Sequence, residues 1–279
     1  MVVLVTGASG QLGQSIKHIA ANHSSLSFYY ADSKEGDITN KAALEKLFKE
    51  VKPDYCINAA AYTAVDKAET DKEQAYAVNV IGAKNLAEVC NAEGVRLIHI
   101  STDFVFDGTK STPYTEEDST NPQGVYGLTK RQGEQEIEKV LKEHYIVRTS
   151  WLYSQFANNF MKTMLRLAAE RDSLGVIDDQ KGTPTNAVDL AEAALKIIES
   201  GKAAYGIYHY SNEGETSWYG FAKQIFEINN VSIDLKPIPT QAYPTPAKRP
   251  QYSVLDKSKI KYTFDIQINS WEKSLQPYK

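Results

Sequence analysis

Tyr126 and Lys130 stand four residues apart in a stretch that reads as a helix, and Thr102 closes an apolar run upstream of them. On a helix, positions i and i+4 lie one turn apart on the same face, so the phenol and the ammonium can act as a unit. A free tyrosine has a pKa of about 10 and is a poor proton donor near neutrality. A cation held one turn away is expected to stabilise the phenolate and lower that value, giving an acid or base usable at neutral pH. Thr102, at the end of its strand, could hydrogen-bond the same substrate oxygen. Tyr-x-x-x-Lys is also a common surface pair, so the elements that position it decide whether it does chemistry.

Val2 to Thr6 is a continuous apolar, β-branched run, as expected of a parallel strand buried on both faces. Gly7, Ser9, Gly10, Gln11, Leu12 and Gly13 follow with G-x-x-G-x-x-G spacing, and Leu12, Ile16, Ile19 and Ala20 then recur at helical intervals. Strand, glycine turn and helix together form the setting in which a backbone approaches a pyrophosphate at a helix N-terminus. Leu26 to Ala31 is a second strand, closed by Asp32, Ser33 and Lys34. An acid there favours the ribose 2′-hydroxyl of NAD and basic or hydroxyl side chains favour the 2′-phosphate of NADP; this chain carries both. Asp37 and Ile38 suit an adenine ring, or a helix N-cap ahead of Leu44.

The strand Asp54 to Asn58 ends in Ala59, Ala60 and Ala61, small residues that leave room for a ligand at a strand's carboxyl end. Tyr62 to Glu69 is a polar loop near it, and Glu73 to Glu93 reads as one helix with Asn79 inside, a packing or back-bonding position. Val95 to Ile100 delivers Thr102, and Tyr145 to Thr149 is a further strand before Trp151. Beyond it, Asn158 to Glu170 reads as a helix and Leu174 to Ile177 as a short strand. Ala187 to Ile198 and Tyr205 to Tyr210 are expected to return to the main sheet. Ser217 to Asn229 is a helix whose Trp218, Phe221, Ile225 and Phe226 read as core, and four prolines from Pro239 to Pro250 mark an irregular segment.

The alternation predicts an α/β fold: a Rossmann-type doubly wound parallel sheet over residues 1–150, and a smaller C-terminal α/β substrate-binding lobe over most of 151–279. The 31 basic and 35 acidic residues nearly balance, and no dense basic run exists, which argues against nucleic acid or a membrane surface and for a small-molecule partner. Cys56 and Cys90 lack disulfide or metal-ligand spacing and read as core residues in a reducing compartment. Met1 leads directly into a strand without a basic n-region, and no apolar run approaches a membrane span, so a cytoplasmic location is expected.

The glycine turn, Asn58 to Ala61, Thr102 and Tyr126 with Lys130, in this order, resemble the extended short-chain dehydrogenase/reductase family. The stretches Asn58 to Glu69, Ser101 to Gly108, Arg148 to Tyr153, Asn159 to Met164, Asp179 to Thr185 and Tyr243 to Pro250 are similar to its members that reduce the C4 ketone of a dTDP-linked 6-deoxy-hexose. The resemblance implies NADPH or NADH as cofactor and a dTDP-sugar as substrate. It makes Tyr126 the proton donor to the C4 oxygen, Lys130 its electrostatic partner and a cofactor-ribose ligand, and Thr102 the hydrogen-bonding hydroxyl. Gly7, Gly10 and Gly13 would hold the pyrophosphate. Trp151 would stack on the sugar, with Thr63, Val65 and Asp103 in the same pocket and Arg249 near the diphosphate, where a guanidinium matches phosphate oxygens. Some members bind magnesium through glutamates at a dimer interface; here Gln14 and Ser15 follow Gly13, so the expectation is no metal and a monomer or weak homodimer. Other members are epimerases, dehydratases or a non-catalytic regulatory subunit of methionine adenosyltransferase. A dehydratase would need an extra acid and base pair, and Asp103 is the one acid adjacent to Thr102.

Overall fold

The computed structural model describes residues 1–278. Strands β1 (Val2–Thr6), β2 (Ser27–Ala31) and β3 (Tyr55–Asn58) alternate with helices α1 (Gln11–Ile19) and α2 (Lys41–Val51). Short helices α3 (Val65–Ala68) and α4 (Lys72–Tyr76) lead through a π-helical stretch, Ala77–Gly82, into α5 (Ala83–Glu93). Then come β4 (Arg96–Thr102), α6 (Val125–Val140) and β5 (His144–Thr149). The second half holds β6 (Leu152–Tyr153), α7 (Phe160–Glu170), β7 (Ser173–Ile177), β8 (Lys181–Gly182), β9 (Thr185–Asn186), α8 (Ala187–Ser200), β10 (Gly206–His209), β11 (Thr216–Ser217), α9 (Trp218–Ile228), β12 (Asp234–Ile238), α10 (Ser258–Phe264) and α11 (Trp271–Leu275).

Six of these strands form a wholly parallel sheet in the order β10-β5-β4-β3-β1-β2. The expected doubly wound α/β sheet is therefore present, and β10 supplies its edge beyond β5. The chain moves from β1 outward to β2 and then crosses to β3 on the other side, so the switch point lies between β1 and β3, where open α/β sheets bind ligands at the strands' carboxyl ends. One face is covered by α1, α8 and α10 through Leu12, Ile16, Leu190, Ile198, Ile260 and Phe264. The other is covered by α2, α5 and α6 through Leu44, Phe48, Leu86, Cys90 and Ile137. Both cysteines are buried and free. A third core, built from α7, α9, α11 and β7, with Met161, Leu174, Phe221 and Ile225, sits beyond the sheet.

The helix expected over Glu73 to Glu93 is continuous but carries a π-helical stretch, Ala77–Gly82, in its middle. The π turn rotates Asn79 so that its side chain accepts from Tyr62 N at 2.9 Å and donates to Thr129 Oγ1 on α6 at 3.1 Å. Strand β12 has no counterpart in the sequence reading because it contains Pro237, which removes a ladder donor; it pairs only with β7, at an edge where the loss is tolerated.

Candidate active site

Three contacts dock α6 against the carboxyl end of β4. Its N-terminus begins at Gly124, which offers no capping side chain, and Glu69 from the β3–α4 connection accepts from Val125 N at 2.8 Å instead. At Gly127 a Cβ would lie 2.1 Å from the Phe104 carbonyl oxygen, so only glycine lets the first turn approach this closely. Deeper in, Glu134 takes Arg148 in two hydrogen bonds, at 2.9 and 2.8 Å, and accepts from Ser101 Oγ at 2.5 Å. Thr102, Tyr126 and Lys130 thereby line one cavity of about 570 Å³, together with Asp103, Thr63, Val65, Trp151, Arg249, Gln11 and Leu12.

The electrostatics differ from the sequence expectation. Burial pushes the half-buried Tyr126 phenol up to about 12, against a downward pull from the Thr102 hydroxyl beside it. Lys130 does not lower it: its Nζ donates to Ile100 O at 2.8 Å and lies 3.3 Å from His99 Nε2, and burial brings its own pKa down to about 8. Desolvation therefore governs the phenol, with the Asp103 carboxyl raising it further, and Tyr126 is a neutral phenol throughout the physiological range. Thr102 Oγ1 donates to Asp103 Oδ1 at 3.1 Å and accepts from Phe104 N at 3.2 Å. Asp103 is 1% exposed, its Oδ2 has no partner among the described residues, and burial raises its pKa to about 6.

A second cavity of about 480 Å³ is lined by Gly7, Ser9, Asp32, Ser33, Asp37, Ile38 and Ala60, and shares Gly10, Ala59 and Ala61 with the first. The two form one trough over the switch point. Gly7 has φ +68°, and a Cβ there would meet the Ala59 and Ala60 backbone at 2.5 to 2.7 Å; Gly10 N-caps α1 with its open side on the trough. This backbone cradle at a helix N-terminus fits a dinucleotide pyrophosphate. Gly13 lines neither cavity. Its Cβ would strike Ala8 at 2.5 Å and the Gly7 carbonyl oxygen at 2.7 Å, so its part is to pack the first turn of the helix against the glycine turn. Lys34 also lines neither; its backbone N donates to Asp32 Oδ1 at 2.8 Å. Asp37 closes a turn on Thr39, and the N-cap of α2 is Asn40.

Trp151 borders the larger cavity, but the expected open indole face is covered by Trp218, with ring centroids 3.5 Å apart and planes at 10°. Gly182 backs onto the same indole, where a Cβ would fall 2.6 Å from it. Trp151 also has φ +45°, a left-handed conformation that costs a bulky residue about 1–3 kcal/mol. Trp218, read as core from its spacing, therefore belongs to the site as well. Arg249 stands on the wall, yet Asp66 already binds it in two hydrogen bonds at 3.0 and 2.7 Å, and Ala247 O takes a third. Any diphosphate contact falls to its remaining N–H groups.

A family model described as "RmlD substrate binding domain" matches residues 1–278. The chain belongs to that family. A curated protein of Aggregatibacter actinomycetemcomitans named dTDP-4-dehydrorhamnose reductase is 43% identical, over 98% of this chain and 97% of its own. The crystal structure of a dTDP-4-dehydrorhamnose reductase from Clostridium acetobutylicum superposes with a TM-score of 0.94 at 44% identity, covering 100% of this chain and 98% of that one. Another from Bacillus anthracis, in complex with NADP, gives a TM-score of 0.95 at 39% identity, covering 99% and 98%. The RmlD family resemblance thus spans both the sheet and the lobe that carries Trp151, Trp218 and Arg249.

Proposed function

We propose that this chain reduces the C4 ketone of dTDP-4-dehydro-L-rhamnose to dTDP-L-rhamnose with NADPH or NADH, as a cytoplasmic dTDP-4-dehydrorhamnose reductase. The observation that carries this reading is the pair of adjoining cavities: a backbone cradle for a dinucleotide shares Gly10, Ala59 and Ala61 with the cavity that holds Thr102, Tyr126 and Lys130. The bound dihydronicotinamide supplies the hydride. Gly7, Gly10 and Ala59 to Ala61 hold the dinucleotide, and Lys130 steadies its ribose. Tyr126 gives its proton to the C4 oxygen as that oxygen becomes an alkoxide, which a phenol held neutral by burial is ready to do. Thr102 orients the ketone; its hydrogen now goes to Asp103, so it must turn to reach the substrate. Trp151, Trp218 and Thr63 enclose the sugar. Supplied with NADPH and this substrate, the purified protein consumes one cofactor per sugar reduced. If it binds NADPH and never oxidises it, yet stimulates a partner enzyme, a regulatory role replaces this one.

Cofactor choice turns on Asp32 and Lys34. Lys34 is exposed and outside both cavities, so its contribution to a 2′-phosphate is that of a screened surface charge. Lys34→Ala should raise KM for NADPH by roughly two- to fivefold and leave NADH unaffected. An unchanged KM for NADPH would make Lys34 a solvated loop residue.

Assembly as a monomer or weak homodimer, without magnesium, is the companion proposal. Gln14, at the position after Gly13, donates through Nε2 to Ser9 O at 2.7 Å and so braces the glycine turn. Sedimentation velocity should give the same distribution with and without EDTA. A dimer that dissociates on chelation would contradict it.

A further inference from the structure

Behind Lys130 lies a row of polar side chains that the reaction scheme does not use. Thr6, Asn58 and His99 are register partners on adjacent strands β1, β3 and β4, and all are buried. Asn58 Oδ1 accepts from Thr6 Oγ1 at 2.8 Å and from Ala60 N at 3.1 Å. A backbone N–H can only donate, so this contact fixes the amide, and its Nδ2 faces His99 Nδ1 at 2.9 Å. A neutral imidazole carries one N–H. Facing a donor, Nδ1 must accept, and the ring proton sits on Nε2, 3.3 Å from Lys130 Nζ.

We propose that His99 is a positioning residue for Lys130: Asn58 locks its ring in the Nε2–H form, so that a donor points at the lysine nitrogen and favours the amine over the ammonium. An ammonium has three donors and no acceptor, so it would meet the His99 N–H donor to donor. A neutral amine accepts from His99 and still gives a hydrogen to Ile100 O. His99 cannot relieve the conflict by charging, because burial, Lys130 and His144 on β5 all hold it neutral. Burial of Lys130 acts in the same sense, and Glu134 one turn along α6 opposes it. Tyr126 on the same helix and Asp103 after β4 line the same cavity. The π stretch brings no acid or base to this side, and Lys84 on α5 turns to Glu136 at 3.6 Å. The consequence is that Lys130 takes up a proton when an anionic dinucleotide arrives, coupling its charge to cofactor occupancy.

The use made of Lys130 rests on the proposed reductase reading, but the test needs no sugar substrate, so the two can fail separately. NADPH affinity is measured against pH for the wild type, His99→Gln and Asn58→Asp, with ring ¹⁵N shifts of His99 recorded alongside. Affinity that depends on the ammonium is full below the lysine pKa and lost as pH rises through it, near 8 in the wild type. Gln can turn its oxygen to the ammonium, and Asp at position 58 accepts from His99 Nδ1–H, freeing Nε2 to accept from Lys130. Both variants should move the midpoint up by about one pH unit or more. The ring shifts should place the proton on Nε2 in the wild type and on Nδ1 in Asn58→Asp. A midpoint common to all three, including a uniform loss of affinity at every pH, would overturn the proposal. So would a wild-type ring protonated on Nδ1, a result that stands even if a variant fails to fold.

Discussion

Tyr126→Phe lowers turnover by about 100-fold to 10,000-fold, the range that general acid catalysis contributes, and leaves cofactor affinity within a factor of about two. The Tyr126 ring packs edge-on against Phe104, with centroids 5.5 Å apart, and Phe keeps that contact. What is lost is the hydroxyl, whose pKa burial has pushed up to about 12. A group raised in this way is protonated below that value, so the acid is present across the neutral range and its titration does not limit activity there. The first loss on raising pH is expected near 8, from Lys130. Single-turnover rates for wild type and variant check the assignment: a variant retaining more than half the wild-type rate would remove Tyr126 from its role.

The largest effect on stability is expected at Glu134 and Arg148. Their side chains are 0% and 2% exposed and joined by two hydrogen bonds, with Ser101 as a third member and the half-buried Arg131 as a fourth, 3.0 Å from Glu134 Oε2. Removing Glu134 strands the buried Arg148 guanidinium and costs about 3–5 kcal/mol, whereas removing Arg148 leaves Glu134 paired with Arg131 and costs less. Glu134→Leu should lower the urea midpoint by that equivalent and Arg148→Met by less, and the double substitution should cost less than Glu134→Leu alone, because it leaves no buried guanidinium unpaired while Arg131 keeps Glu138. A double variant as unstable as the sum of the singles would show that the pair is not the source. Since Ser101 precedes Thr102 and Glu134 follows Lys130 by one turn, this network also sets α6 against β4. Tyr126 and Thr102 should lose their alignment in the single variants.

The sheet was legible because strands buried on both faces leave continuous apolar runs, as in Val2–Thr6, and the glycine turn was legible because close backbone approach excludes side chains. Thr102, Tyr126 and Lys130 could be picked out as types at a spacing, but their acid strengths could not. Whether an ammonium or the loss of water governs Tyr126 depends on where Lys130 Nζ points, and it points to Ile100 O. Trp218 looked like core because its apolar spacing continues with Phe221 and Ile225; its stacking on Trp151 needs a left-handed tryptophan that no spacing announces. His99 gave no signal alone, since its role arises from the register of three strands, β1, β3 and β4. Arg249, expected near a diphosphate, lines the cavity, but its ion pair with Asp66 joins residues too distant in the chain to anticipate.

The most direct test of the central claim follows the hydride. The purified protein is given NADPH carrying deuterium at both hydrogens of the reactive nicotinamide carbon together with dTDP-4-dehydro-L-rhamnose, and the product is read by proton NMR. The account predicts dTDP-L-rhamnose with deuterium at C4 and a C4 hydroxyl whose proton comes from solvent through Tyr126, with the label disappearing from the cofactor in equal amount. Both deuteriums retained on the cofactor, or a product altered at C3 or C5 with C4 still a ketone, would contradict it.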